Sequence, residues 1–180
     1  MTRRLPQLRQ RARNLLRILR SWLSPTPDVE IPRTQGVGTW RFAEAYLNAA
    51  KMQPAAPTAS FVSYFLYGHG LELTLKAFLV SQGSTNTRLK RIGHDLTRAL
   101  RAAGKHQTFG RVPITDRDRT IIAWLNSYYR DKEFEYLVTG FKSFPAVDEV
   151  RDVCERMLGN VKPLIREAVN AHLTLGAANP

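Results

Sequence analysis

The sequence predicts an all-α protein, a helical bundle preceded by a basic amphipathic helix. Three observations carry that expectation. Apolar residues recur at steps of three and four along most of the chain. No two-residue alternation longer than about four residues appears, so no sheet is expected. The 180 residues are 43% apolar, enough to bury a core and too many for a disordered chain. The expected organisation is a leader helix over 1–24, a linker over 25–38, a bundle over 39–174 and a tail over 175–180.

Leu5, Leu8, Ala12, Leu15, Leu19 and Trp22 make the apolar stripe of the leader, with Arg9, Arg13, Arg17 and Arg20 on its flanks. Pro25, Pro27, Pro32, Gly36 and Gly38 argue against a regular element in the linker. A helix over 39–52 follows, with Trp40, Ala43, Leu47 and Ala50 on one face, and Pro54 and Pro57 beyond it. Residues 58–82 read as the central helix, because two apolar stripes leave it few polar sides. One stripe is Phe61, Tyr64, Gly68, Leu71, Leu75 and Phe78; the other is Leu66, Leu73, Ala77 and Val80. Residues 83–93 read as a polar, basic loop. His94 and Asp95 open a short helix that Gly104 closes. Thr115, with Asp118 three residues on, starts the next helix, which runs to about Arg130. The aromatics of 131–144 should fold back on the bundle as an ordered loop. The seam Val147, Val150, Cys154, Met157, Val161, Leu164, Ala168 predicts one last helix from Pro145 to about Leu173, kinked near Pro163.

The net charge is +12, which fits a polyanionic partner. It is unevenly spread. Seven arginines lie within residues 1–20, the first acid is Asp28, and the rest of the chain carries only +5. The leader's basic amphipathic helix over residues 3–23 suits contact with a membrane surface or nucleic acid, or packing on the bundle. A single cysteine, Cys154, excludes a disulfide framework and a four-cysteine zinc site, and points to the cytoplasm. Four histidines without metal-ligand spacing leave no metal site expected, and no cofactor motif such as a P-loop is present.

The central helix carries the most informative constellation. His69, Glu72 and Lys76 interrupt a stripe of Val62, Phe65 and Leu79 with three ionisable groups. Such groups need partners when buried. They read either as a structural Glu–Lys pair with a bonded histidine or as a polar ligand pocket. Their nearest polar turn in sequence is Gly93-His94-Asp95, which should face them. Asp95 suits an N-cap; a helix start beside Arg88, Lys90 and Arg91 also suits an anion.

The run Gly68-His69-Gly70-Leu71-Glu72-Leu73-Thr74-Leu75-Lys76-Ala77, a short basic loop, then Gly93-His94-Asp95-Leu96, resembles the HEPN (higher eukaryotes and prokaryotes nucleotide-binding) domain family. The likeness is to members with a His-x-x-Glu-x-x-x-Lys-Ala pattern followed by Gly-His-x-Leu, and covers roughly residues 39–172. It implies a four- to five-helix bundle, a homodimer, and a role in RNA or nucleotide binding. It also implies metal-independent RNA cleavage in a defence or toxin–antitoxin setting, with a cognate antitoxin-like partner. The ribonuclease branch uses an Arg followed after four to six residues by His. Arg88 to His94, Arg101 to His106 and Arg166 to His172 have that spacing. Arg166 and His172, on the last helix with Glu167 as polar neighbour, match its placement best and are the implied catalytic pair. His69, Glu72, Lys76, Arg88, Lys90, Arg91, His94 and Asp95 are the implied ligand- or RNA-binding set. The competing expectation is a non-catalytic interaction or assembly module in which the polar cluster is structural.

Overall fold

A computed structural model describes residues 32–54, 57–136 and 143–177. The leader helix and most of the linker lie outside the described residues, as do the tail beyond 177 and Gly140 and Phe141 of the aromatic segment. Among the described residues six α-helices and one short 3-10 turn are formed, with no strand. In chain order they are α1 (Gln35–Lys51), α2 (Pro57–Ser81), α3 (Asn86–Ile92), α4 (Leu96–Ala103), α5 (Asp116–Tyr129) and α6 (Val147–Ala177). The 3-10 turn, Gln107–Arg111, joins α4 to α5.

As its apolar stripes require, α2 is central, and it packs against α1, α4, α5 and α6. Leu71, Leu75 and Phe78 of the first stripe are fully buried, and so is Ala77 of the second. The long seam of α6 closes the core with Val150, Cys154, Met157, Val161 and Leu164. Burial pushes the Cys154 thiol far up, so it behaves as a small apolar residue. Trp40 on α1 is tied to α6 by its indole N–H, which donates to the Leu158 carbonyl at 3.0 Å. The aromatic segment does fold back: Tyr64 stacks on Phe134 and Phe144 at centroid distances of 5.5 and 5.2 Å. Its hydroxyl donates to the Pro145 carbonyl at 2.6 Å.

Three boundaries differ from expectation. The first helix begins at Gln35, inside the expected linker, and takes in Gly36 and Gly38. Packing overrides the poor helix propensity of these glycines. A Cβ on Gly36 would lie 2.9 Å from the Ala77 carbonyl oxygen, so glycine is what lets α1 cross α2 closely. The second difference lies in 83–93, which is not all loop. Thr85 caps α3 by accepting the Arg88 amide at 3.3 Å, Ile92 is buried, and Gly93 ends the helix at φ +63°. The third is α6, a single helix with Pro163 inside it, which starts at Val147 rather than Pro145 and reaches Ala177.

Thr115 and Asp118 form the expected reciprocal cap of α5, and Asp118 also accepts from Arg156 of α6. Two glycine substitutions should separate close packing from backbone freedom. Gly36→Ala should lower stability by about 1–3 kcal/mol through overpacking. Gly159→Ala, where an added Cβ meets nothing within 4 Å, should raise it by about 0.5–1 kcal/mol. Urea unfolding of both variants measures this directly.

Candidate functional site

The candidate site is built around one carboxylate. Glu72, in the middle of α2, is 2% exposed. One turn later, Lys76 donates to its Oε1 at 2.5 Å. From α5, the Tyr129 hydroxyl donates to Oε2 at 2.6 Å. His94, in the turn between α3 and α4, lies with Nδ1 at 3.0 Å from the same oxygen. His69 Nδ1 is 3.0 Å from the Tyr129 oxygen and 3.9 Å from Glu72 Oε2.

Proton bookkeeping orders this network. The Tyr129 hydroxyl has one hydrogen and spends it on Glu72, so it accepts from His69 Nδ1–H. A carboxylate only accepts, so His94 donates through Nδ1–H. In the neutral imidazole that leaves Nε2 of each histidine as a free basic nitrogen. Burial alone would raise the Glu72 carboxyl. The Lys76 ammonium, then the Tyr129 and His94 hydrogen bonds, outweigh it and hold the group below its ordinary range. Burial, then the Glu72 charge beside it, pushes the Tyr129 hydroxyl far up, so it remains a proton donor. Burial holds His69 below the usual histidine value; Glu72 opposes this and His94 and Lys76 add to it.

The local sequence explains the approach. A Cβ at position 68 would lie 2.6 Å from Tyr129 Cδ2, so Gly68 makes room for the ring that carries the bridging hydroxyl. Tyr46 of α1 meets His69 edge-on at 4.4 Å, and Phe65 stacks on it at 5.9 Å. The turn holding His94 is pinned from α5 by Asn126. Its Oδ1 accepts the Leu96 amide at 2.6 Å and its amide nitrogen donates to Asp95 Oδ1 at 3.2 Å.

Of the residues expected here, His69, Glu72, Lys76 and His94 come together. Asp95 does not join them. It caps α4, accepting from the Arg98 amide at 2.9 Å and from Thr97 at 2.7 Å. Burial would raise its carboxyl, but those donors, Arg98 and Asn126 hold it low. The start of α4 therefore already has its own carboxylate and amide oxygen, which occupy the donors an anion would need. Arg88, Lys90 and Arg91 sit on α3, and Lys90 and Arg91 are exposed. The Arg88 charge adds to the burial that lowers His106. Arg166 and His172 are both exposed on α6. Six residues of helix put their backbones about 9 Å apart along the axis and about 120° around it, on different faces of α6. Glu167 is turned to Arg111, with contacts of 2.6 and 3.0 Å.

Tyr129, Asn126, Tyr46 and Phe65 complete the site without having been expected in it. Asn126 left a trace, a polar residue among Ile122, Leu125 and Tyr129 on a buried face. Tyr129 left none, since a tyrosine on an apolar stripe reads as core. Among the described residues no group of three or more metal-ligating side chains is present, and no helix is long and apolar enough to cross a membrane. Comparison with protein-family models, curated proteins and solved structures finds no match to this chain.

Glu72→Ala should strand the Lys76 ammonium and cost about 3–5 kcal/mol of stability, and Tyr129→Phe about 1–3 kcal/mol, read by urea unfolding. The pH dependence has a definite sign. Burial lowers both His69 and His106, with the Arg88 charge adding to the effect on His106. The unfolded chain therefore takes up these protons first. Their contribution is complete above the ordinary value of 6.5 and is lost as pH falls below it. Glu72, lowered in the fold, adds a further loss as pH falls below its ordinary 4.5. Melting temperature should fall in these two stages, with the first diminished in His106→Leu.

Proposed function

We propose that this chain is a HEPN-like protein that binds RNA or a nucleotide at the Glu72 cluster. The observation that carries the reading is the half-exposed His94 imidazole, 49% accessible in its side chain, held by a buried carboxylate. Glu72 fixes the Nδ1–H tautomer and leaves Nε2 as a proton acceptor at the surface. Lys76 and His69 lie beside it, each partly exposed, at 17% and 25%. An acceptor nitrogen next to an ammonium is a pairing suited to a ribose hydroxyl and its neighbouring phosphate.

In its catalytic form the proposal is metal-independent RNA cleavage. His94 Nε2 takes the 2′-hydroxyl proton as the 2′-oxygen attacks phosphorus; the P–O5′ bond breaks to leave a 2′,3′-cyclic phosphate, the 5′-oxygen takes a proton from water, and the imidazolium, stabilised by Glu72, returns its proton to solvent. Lys76 stabilises charge on the phosphate. Arg166 and His172 enter this reading only across a two-fold dimer, where one chain's arginine could meet its partner copy's histidine. A homodimer is part of the proposal, and exposed Phe42, Val62, Leu173 and Leu175 supply apolar surface for it.

A second reading also has an observation in its favour. Both oxygens of Glu72 are already engaged inside the protein, which is what a purely structural cluster in an interaction module requires. Labelled single-stranded RNA incubated with the protein in EDTA separates the readings. RNA binding that weakens by about tenfold or more in His94→Ala, measured where the variant remains folded, is the expected result. Cleavage lost in His94→Ala but kept in Arg166→Ala and His172→Ala would place catalysis at the cluster. Absence of RNA and ribonucleotide binding at tens of micromolar protein would leave the interaction module as the function.

A further inference from the structure

We propose a second anion site, a groove between α1 and α6 that takes a phosphomonoester dianion. It has a volume of about 380 Å³ and is lined by Trp40, Arg41 and Glu44 from α1 and by Lys162, Ile165 and Arg166 from α6. None of these belongs to the Glu72 cluster; Arg166 alone is shared with the dimeric form of the function proposed above, and phosphate binding at the groove is read separately from RNA cleavage.

Charge pairing along α6 shows why this groove is unusual. All five of its carboxylates are engaged: Asp148 and Asp152 with Arg151, Glu149 with Arg117, Glu155 with Lys51, and Glu167 with Arg111. Its cations Arg151 and Arg156 are paired as well. Lys162 and Arg166 are the other two cations of α6, and among the described residues neither forms an ion pair. They stand four residues apart, a like-charge spacing that weakens a helix unless something neutralises it. Arg41 faces them from α1, and it too forms no ion pair among the described residues.

The walls are tied together by two contacts. The Trp40 indole N–H bond to Leu158 fixes α1 against α6. The Lys162 ammonium lies 4.1 Å from the Trp40 ring centroid. A cation–π contact holds the ammonium in place without cancelling its charge. Two guanidinium groups add forked donors that match phosphoryl oxygens. Three cations against the single carboxylate of Glu44 leave two positive charges. That excess matches a phosphomonoester, at about −1.5 to −2, better than a carboxylate or a backbone phosphodiester. Glu44 remains free to accept from a hydroxyl or amine on the group carrying the phosphate.

The test is nitrogen-15 NMR of the full chain titrated with inorganic phosphate, a ribonucleoside 5′-monophosphate, and RNA oligomers bearing a 5′-phosphate or a 5′-hydroxyl. Saturable shifts are expected at the Trp40 indole and the Arg41, Lys162 and Arg166 amides. Affinity should fall by about tenfold or more in Arg166→Gln. It should also weaken between about pH 7.5 and about pH 5, as the dianion gains a proton. A response to the monophosphate alone assigns a small organic phosphate. A response to the 5′-phosphorylated but not the 5′-hydroxyl oligomer extends the source to an RNA end. No saturable shift at these signals would overturn the proposal. So would shifts confined to His69, Lys76 and His94, binding preserved in an Arg41→Gln/Arg166→Gln double variant, or affinity undiminished at the lower pH.

Discussion

A carboxylate buried in the centre of an apolar helix must be met by donors from every side, and Glu72 imposes that demand on this bundle. Its own helix supplies only Lys76 directly. The remaining donors come from α5, as the Tyr129 hydroxyl, and from the turn before α4, as His94. Each has a structural consequence. Tyr129 reaches the carboxylate only because position 68 has no side chain. His94 keeps its place because Asn126 binds the first amide of α4. One ionised group thus relates three elements whose apolar contacts alone would tolerate some sliding.

The helices and part of the site could be read from the sequence, for a common physical reason. Apolar stripes at three- and four-residue steps specify helices, and ionisable residues set into such a stripe must find partners. That logic brought His69, Glu72 and Lys76 together with His94. It stopped at Tyr129, because the bond to Glu72 spans 57 residues and a tyrosine satisfies an apolar pattern equally well. It also assigned Asp95 to two tasks, capping and facing the cluster, when one side chain had donors enough for the first alone. The glycines of α1 misled through propensity. Gly36 looks like a linker residue until its contact with α2 is known, and then close packing explains it.

The two candidate sites use basic residues differently. At the Glu72 cluster the lysine is paired with a carboxylate, and the proposed chemistry combines its ammonium with the imidazole nitrogens. In the α1–α6 groove three cations face the single carboxylate of Glu44, and an aromatic ring holds one of them in position. The first arrangement favours proton transfer, and the second favours static capture of charge. Sequence composition merged the two into a single positive excess, since net charge does not record which cations are already paired.

The central claim is that Glu72 dictates the protonation pattern of His94. Imidazole nitrogen-15 chemical shifts above the histidine titration range report that pattern directly. The account predicts that neutral His94 carries its hydrogen on Nδ1, and that Glu72→Gln, in a variant that remains folded, releases it toward the Nε2–H form. Wild-type protein showing His94 in the Nε2–H form, unchanged by Glu72→Gln, would contradict the account.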